Sequence, residues 1–419
     1  MLHRIVPLSA FLAALSATFL AVPLAAQAQA PDALYIVRFK EAAVPQVRAG
    51  SVRDDRVAQD PEAWGYVGER VLGHVQALEQ RYGVRAEAAY GHALQGMSVR
   101  LNATQLERLR RDDSVDWIEA DQDYGLVAKS PSTTVSNSVP QSVPWGITQT
   151  QATQSFTLAG NGSGSVSGVR AYVIDTGIDM ANADLNRAGL VNFVGDRKNT
   201  DCNGHGTHVA GTIAASDNSI DVVGMAPGVS VYGVKVLDCT GSGTTTSVIK
   251  GIDWVTANAV LPAVANMSLG GGASQTLDDA VRKAAAKGIV FSLAAGNAAV
   301  DACTTSPARV GGGGTAGVMT VAATDSSDQE ASFSNYGNCV DLWAPGVNIS
   351  SLKIGGGVAV MSGTSMASPH AGGAAALYWA RYPSSTAASV VTTLKGLAVS
   401  TGTFSKDGRA IRRLSANVQ

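Results

Sequence analysis

Four residues of this sequence, Asp175, His205, Asn297 and Ser365, have the types needed to transfer an acyl group. A serine hydroxyl is a poor nucleophile until an imidazole takes its proton. The imidazole needs a carboxylate to hold its tautomer and stabilise its cation. An amide donor must then face the oxyanion that forms on the attacked carbonyl. All four lie among small residues: Ile174-Asp175-Thr176-Gly177, Gly204-His205-Gly206-Thr207-His208-Val209-Ala210-Gly211, Ala294-Ala295-Gly296-Asn297 and Gly363-Thr364-Ser365-Met366-Ala367-Ser368-Pro369-His370. Ser365 follows the turn-prone Ser362-Gly363 and precedes a run of small residues. That reads as a nucleophile at a helix start, where unpaired N–H groups and the helix dipole favour negative charge. Taken alone, the octapeptide reads first as an ordinary serine N-cap, and the rest of the chain reverses that weighting.

The chain holds six histidines, and their positions narrow the choice of base. His3 falls in the N-terminal leader and His74 and His92 in the first module, leaving His205, His208 and His370. His208 would project from the same helix face as His205, and His370 lies on the nucleophile's own helix; both read more simply as packed histidines. A metal site on His205 and His208 lacks the H-E-x-x-H pattern and a third ligand.

The elements that position these residues alternate. Apolar runs at 169–174, 229–237, 263–267, 289–293 and 318–322 suit strands buried on both faces. Helical stretches fall at 205–215, 244–259 and 276–287, the last with Leu277, Ala280, Val281, Ala284 and Ala285 on one face. Alternation of this kind predicts an α/β fold, a parallel sheet flanked by helices. Sites in such sheets lie just past the carboxyl ends of strands, where Asp175 and Asn297 fall.

The 419 residues carry a formal charge of -2 with 15% charged residues, which points to neither nucleic acid nor an anionic membrane. Residues 1–30, with Arg4, the apolar run 5–26 and Ala28-Gln29-Ala30, predict a secretory signal; no later segment is apolar enough to span a bilayer. Residues 31–127 predict a small α+β module: strands at 34–39, 96–101 and 115–119, a helix around 67–82, and a helix at 104–111 opened by Thr104 and Glu107 as a capping box. From about residue 125 the composition turns to Ser, Thr, Val and Pro, and 128–143 reads as a linker open to proteolysis, ahead of a larger domain at 144–419. Four cysteines, Cys202, Cys239, Cys303 and Cys339, in an exported chain suggest two disulfides. Three connectivities are open. The spacing is compatible with the local pairs Cys202 to Cys239 and Cys303 to Cys339, each loop worth roughly 3 to 4 kcal/mol in the chain-entropy estimate.

Together the motifs at 175–177, 205–211 and 363–370, in that order, resemble the three active-site motifs of the subtilases, within them the proteinase K and aqualysin branch. The resemblance spans residues 31–419. It implies a subtilisin-like sheet preceded by a ferredoxin-like inhibitory propeptide, and a monomeric, secreted serine endopeptidase acting on extended polypeptides. Asp175 would be the orienting acid, His205 the base, Ser365 the nucleophile and Asn297 the oxyanion donor. Gly241, Ser242, Gly243, Ser268, Leu269, Gly270 and Ala294-Ala295-Gly296 would line the substrate cleft. No organic cofactor is implied. A calcium ion would lie near Asp341, beside a Gly311–Gly314 loop that is looser than in relatives.

Overall fold

The computed structural model describes residues 32–45, 50, 52–126 and 138–419. The expected signal, 1–30, and residues 128–137 of the expected linker lie outside them. The remaining linker residues are docked: Asp221 N donates to Val139 O at 2.7 Å and Gln141 N to Ser219 O at 3.1 Å.

The N-terminal module is a four-stranded antiparallel sheet in the order Ala86–Tyr90, Gly96–Leu101, Ala33–Phe39, Val115–Ala120. Helix Glu69–Tyr82 buries Val71, Leu72, Val75 and Leu78, and these share a core with Val37, Met97 and Val99 of the sheet. Helix Ala103–Leu109 starts earlier than its expected cap. Asn102 and Gln105 close the capping box in place of Thr104 and Glu107, since asparagine caps at least as well as threonine and enters the turn first.

The larger domain is built on a nine-stranded sheet in the order Val399–Phe404, Ala410–Arg413, Leu342–Pro345, Val318–Thr324, Ile289–Ala294, Ala263–Met267, Arg170–Asp175, Ser230–Lys235, Arg187–Asn192. Every pairing is parallel except that of the first two strands. Successive side chains of a strand face opposite sides, which gives the sheet two cores. Ala171 and Val173 join a cluster with helices His205–Ala214 and Thr364–Arg381. Tyr172 and Ile174 join another with helices Thr245–Asn258 and Gln275–Ala286. Of the three possible cysteine connectivities the fold takes Cys202–Cys239 and Cys303–Cys339.

Candidate active site

Strand Arg170–Asp175 has Ser230–Lys235 on one side and Ala263–Met267 on the other. The chain fills the first side and then crosses to the second, so a crevice opens at the carboxyl end of this strand. Asp175 is the strand's last residue and His205 the first of its helix, and both side chains are buried. His205 Nδ1 lies 2.8 Å from Asp175 Oδ1 and, facing a carboxylate, must be the donor. That tautomer leaves Nε2 as the acceptor, and Nε2 is buried without a partner.

The approach of helix to strand depends on small residues. A Cβ on Gly206 would stand 2.0 Å from Gly177 O, and Gly204, the N-cap, holds φ at 105°, where only glycine is relaxed. Gly204 has no side chain to cap with, so Asp201 does it from outside the helix. Its carboxylate accepts from Gly204 N at 2.9 Å and Thr207 N at 2.9 Å. Thr176 ties the two halves together: its hydroxyl donates to Asp201 at 3.0 Å and accepts from Gly206 N at 2.9 Å. Lys235, which the sequence reading passed over inside an apolar run, is buried here. Its ammonium donates to Thr176 O at 3.0 Å and Leu237 O at 2.9 Å, with Asp196 Oδ2 at 3.5 Å.

Ser365 is the second residue of helix Thr364–Arg381, as expected for a nucleophile at a helix start. Four residues on, Pro369 has no N–H to return to the Ser365 carbonyl. That carbonyl instead accepts from Ser268 Oγ at 2.9 Å, and Ser365 Oγ donates to Ser268 O at 3.0 Å. Asn297 Oδ1 accepts from Thr364 N and Thr364 Oγ1, each at 2.9 Å. This double contact fixes the amide's orientation and turns Nδ2 away from Thr364.

His208 and His370 are not rival bases. Burial pushes His208 down to about 3 and His370 down to about 4, so both rings are much weaker bases than a free imidazole. His208 Nε2 lies 3.0 Å from Ile349 O, and His370 Nδ1 lies 2.8 Å from Met366 O.

The expected cleft edges do hold an extended chain, and it is the molecule's own. Residues Asp123–Leu126 form the middle strand of a three-stranded sheet between Ser242–Thr244 and Leu269–Gly271, antiparallel to both. Leu126 pairs with Leu269 and Gly125 with Gly270 and Ser242, while Leu126 N donates to Gly241 O at 3.1 Å. Gly243 faces Tyr124. Ala294 ends its strand and Ala295 follows it, both buried, and Gly296 N donates to Thr364 Oγ1 at 3.0 Å, the hydroxyl that also meets Asn297.

Asp341 does not fit a cation. Its carboxylate is already bound by Lys395 Nζ and accepts from Gly312 N at 3.0 Å and Thr320 N at 2.9 Å, so an ammonium supplies the positive charge expected of calcium. Asp184 is the contrary case, and sequence reading missed it. It is wholly buried, its Oδ2 has no partner, and burial pushes the carboxyl up to about 7. Around it are amide side chains: Asn218 Nδ2 reaches Asp184 Oδ1 at 2.6 Å, and Gln141 Oε1 accepts from Asn218 N at 2.6 Å. Among the described residues the only cluster of three His, Cys, Asp or Glu ligands is Asp196 with Cys202 and Cys239, whose sulfurs are bonded to each other.

Residues 167–413 match the Subtilase family (Peptidase S8), and residues 34–126 match Peptidase inhibitor I9. An extracellular serine proteinase of Thermus sp. is 43% identical over 378 residues, covering 87% of this chain and 85% of that protein. Alkaline serine exoprotease A of Vibrio alginolyticus is 42% identical over 349 residues, 82% of this chain but only 60% of that longer protein. A solved structure, that of a cold-adapted subtilisin-like serine proteinase, matches with a TM-score of 0.58 and 43% identity over 66% of this chain and 98% of its own. With that family match over most of its larger domain and an I9 inhibitor module before it, the chain belongs to the subtilases as a serine endopeptidase.

Proposed function

We propose that this chain is a secreted zymogen in which residues 1–30 direct export, 31–127 inhibit, and 144–419 hydrolyse extended polypeptides after self-cleavage within 128–143. The observation that carries the reading is the strand Asp123–Leu126, which lies between both cleft edges as a substrate would, beside the Ser268 that bonds Ser365. Among the described residues no helix is long and apolar enough to cross a membrane.

In this reading an extended chain adds as the central strand and brings its scissile carbonyl to Ser365. His205 Nε2 takes the hydroxyl proton as Oγ bonds to the carbonyl carbon. The charge on the carbonyl oxygen is taken by Asn297 Nδ2, which Thr364 holds in place and which need not reorganise as charge develops. Asp175 stabilises the imidazolium. The C–N bond then breaks, His205 passes the proton to the leaving amine, and water repeats the sequence to free the acyl group. A Ser365→Ala chain should remain uncut and lose casein hydrolysis by about a millionfold, the loss known for subtilisin itself when its nucleophile is removed. Full processing and turnover in that variant would sink the mechanism.

We also place calcium at Asp184, on its partnerless Oδ2; Asn218 would turn its amide so that the oxygen, which now accepts from Ile220 N at 2.7 Å, replaces Nδ2, and Gln141 Oε1 would exchange Asn218 N for the ion. The ion would neutralise a buried carboxylate and tie residues 138–142 to the 216–222 loop.

A further inference from the structure

Tyr124 is the large side chain that the cleft-bound strand buries fully against the protease, where Leu126 is only partly buried. Tyr124 is 2% exposed, and its ring joins the cluster of Leu237, Leu269 and Leu277 on the protease side, not the core of the N-terminal module. Its backbone lies between Gly243 and Gly271. Gly271 is a wall of this slot: a Cβ there would stand 2.9 Å from Tyr124 Cε1 and 3.0 Å from Cδ1. At the far end the phenol donates to Gly272 O at 2.8 Å.

We infer that this slot selects tyrosine over phenylalanine in substrates, with the Gly272 carbonyl reading the phenolic hydroxyl. The inference deepens the proposed protease reading and rests on it. An apolar pocket accepts any aromatic ring, but a slot that ends on a fixed carbonyl gains a hydrogen bond only from a ring with a para donor. The phenol stays a donor, because burial and the neighbouring Asp278 carboxylate oppose its ionisation. Ser274 also lies beside the hydroxyl, and Asp278 is paired with Arg309 through Oδ2. A substrate threaded in the register of Asp123–Leu126 presents its residue at the Tyr124 position to the same slot.

The test uses the processed enzyme and fluorogenic peptides of the sequence 122–131, with Tyr, Phe or Ala at the Tyr124 position and every cut mapped by mass. Tyr should exceed Phe in kcat/KM by about three- to tenfold, the range of one net hydrogen bond. Ala should fall about ten- to a hundredfold below Tyr through lost apolar burial. Equal or better cleavage of the Phe peptide, or a cut in a register that moves Tyr off this position, overturns the inference. Gly271→Ala should lower the Tyr-to-Ala preference at least about fivefold by narrowing the slot; an unchanged preference also overturns it. Failure to cleave any of the peptides would instead strike the protease reading beneath it.

Discussion

Two of the contacts between the N-terminal module and the protease differ in their chemistry. In the cleft, Asp123–Leu126 is held by main-chain bonds to the Ser242–Thr244 and Leu269–Gly271 edges. Any extended polypeptide can make such bonds, so this contact is replaceable by substrate. The other contact is a side chain aimed at one particular loop. Asp253, on helix Thr245–Asn258, accepts from the amides of Gly91, His92, Ala93 and Leu94. Acidic residues of the module also meet two helix starts, Asp121 at Thr246 N and Glu119 at Thr276 N, where the helix dipole favours them. The cleft strand is therefore the exchangeable part of the inhibitor, and the Asp253 loop is its anchor.

Two experiments pull the two contacts apart. The largest effect is expected in the cleft. Asn297→Ala should lower kcat by about a hundred- to a thousandfold, the range known for the corresponding subtilisin donor, while the propeptide stays bound, since its anchor lies elsewhere. Equal losses of turnover and of propeptide affinity would break the distinction. At the anchor, Asp253→Ala removes a charged acceptor shared by four amides, which should weaken inhibition by the propeptide about ten- to a hundredfold. The readout is the lag between chain cleavage and the onset of activity, which should shorten while kcat/KM of the mature enzyme on a small peptide holds. An unchanged lag would mean that the Asp253 loop is not the anchor.

The smallest effect lies at Asp184, outside both contacts. Burial raises its folded pKa to about 7 from 3.8, so without metal the folded state binds more protons than the unfolded state between those values. Metal-free protein thus loses stability as pH rises through that window. Calcium must displace the same proton, so its affinity should rise about tenfold per pH unit up to about pH 7 and then level off. Thermal midpoints with and without chelator should differ more at pH 8 than at pH 5. Equal differences at both would remove calcium from Asp184.

Asp175, His205, Asn297 and Ser365 were legible as a candidate set because each sits in a short run of small residues at the end of a strand or the start of a helix, and local sequence carries that signal. Pro369, four residues past Ser365, even foretells the carbonyl that Ser268 occupies. Non-local pairings were not legible. Residues 123–126 have no strand signature of their own and become a strand only between two glycine- and serine-rich edges far along the chain. Asp341 read as a cation ligand because its neutralising lysine, Lys395, comes 54 residues later, on helix Ala387–Leu397. Asp184 lies in an unremarked loop, and its distinguishing feature is an oxygen without a partner, which no spacing reveals.

The central claim is that Ser365 is an activated nucleophile in a cleft filled by the chain's own strand. Treating the exported protein with a fluorophosphonate, before and after processing, and mapping the adduct by mass tests it most directly. The account predicts an adduct on Ser365 only in chains cut within 128–143 and cleared of the 123–126 strand. A processed chain that stays unlabelled at Ser365, or an uncut chain labelled there at the same rate, would contradict it.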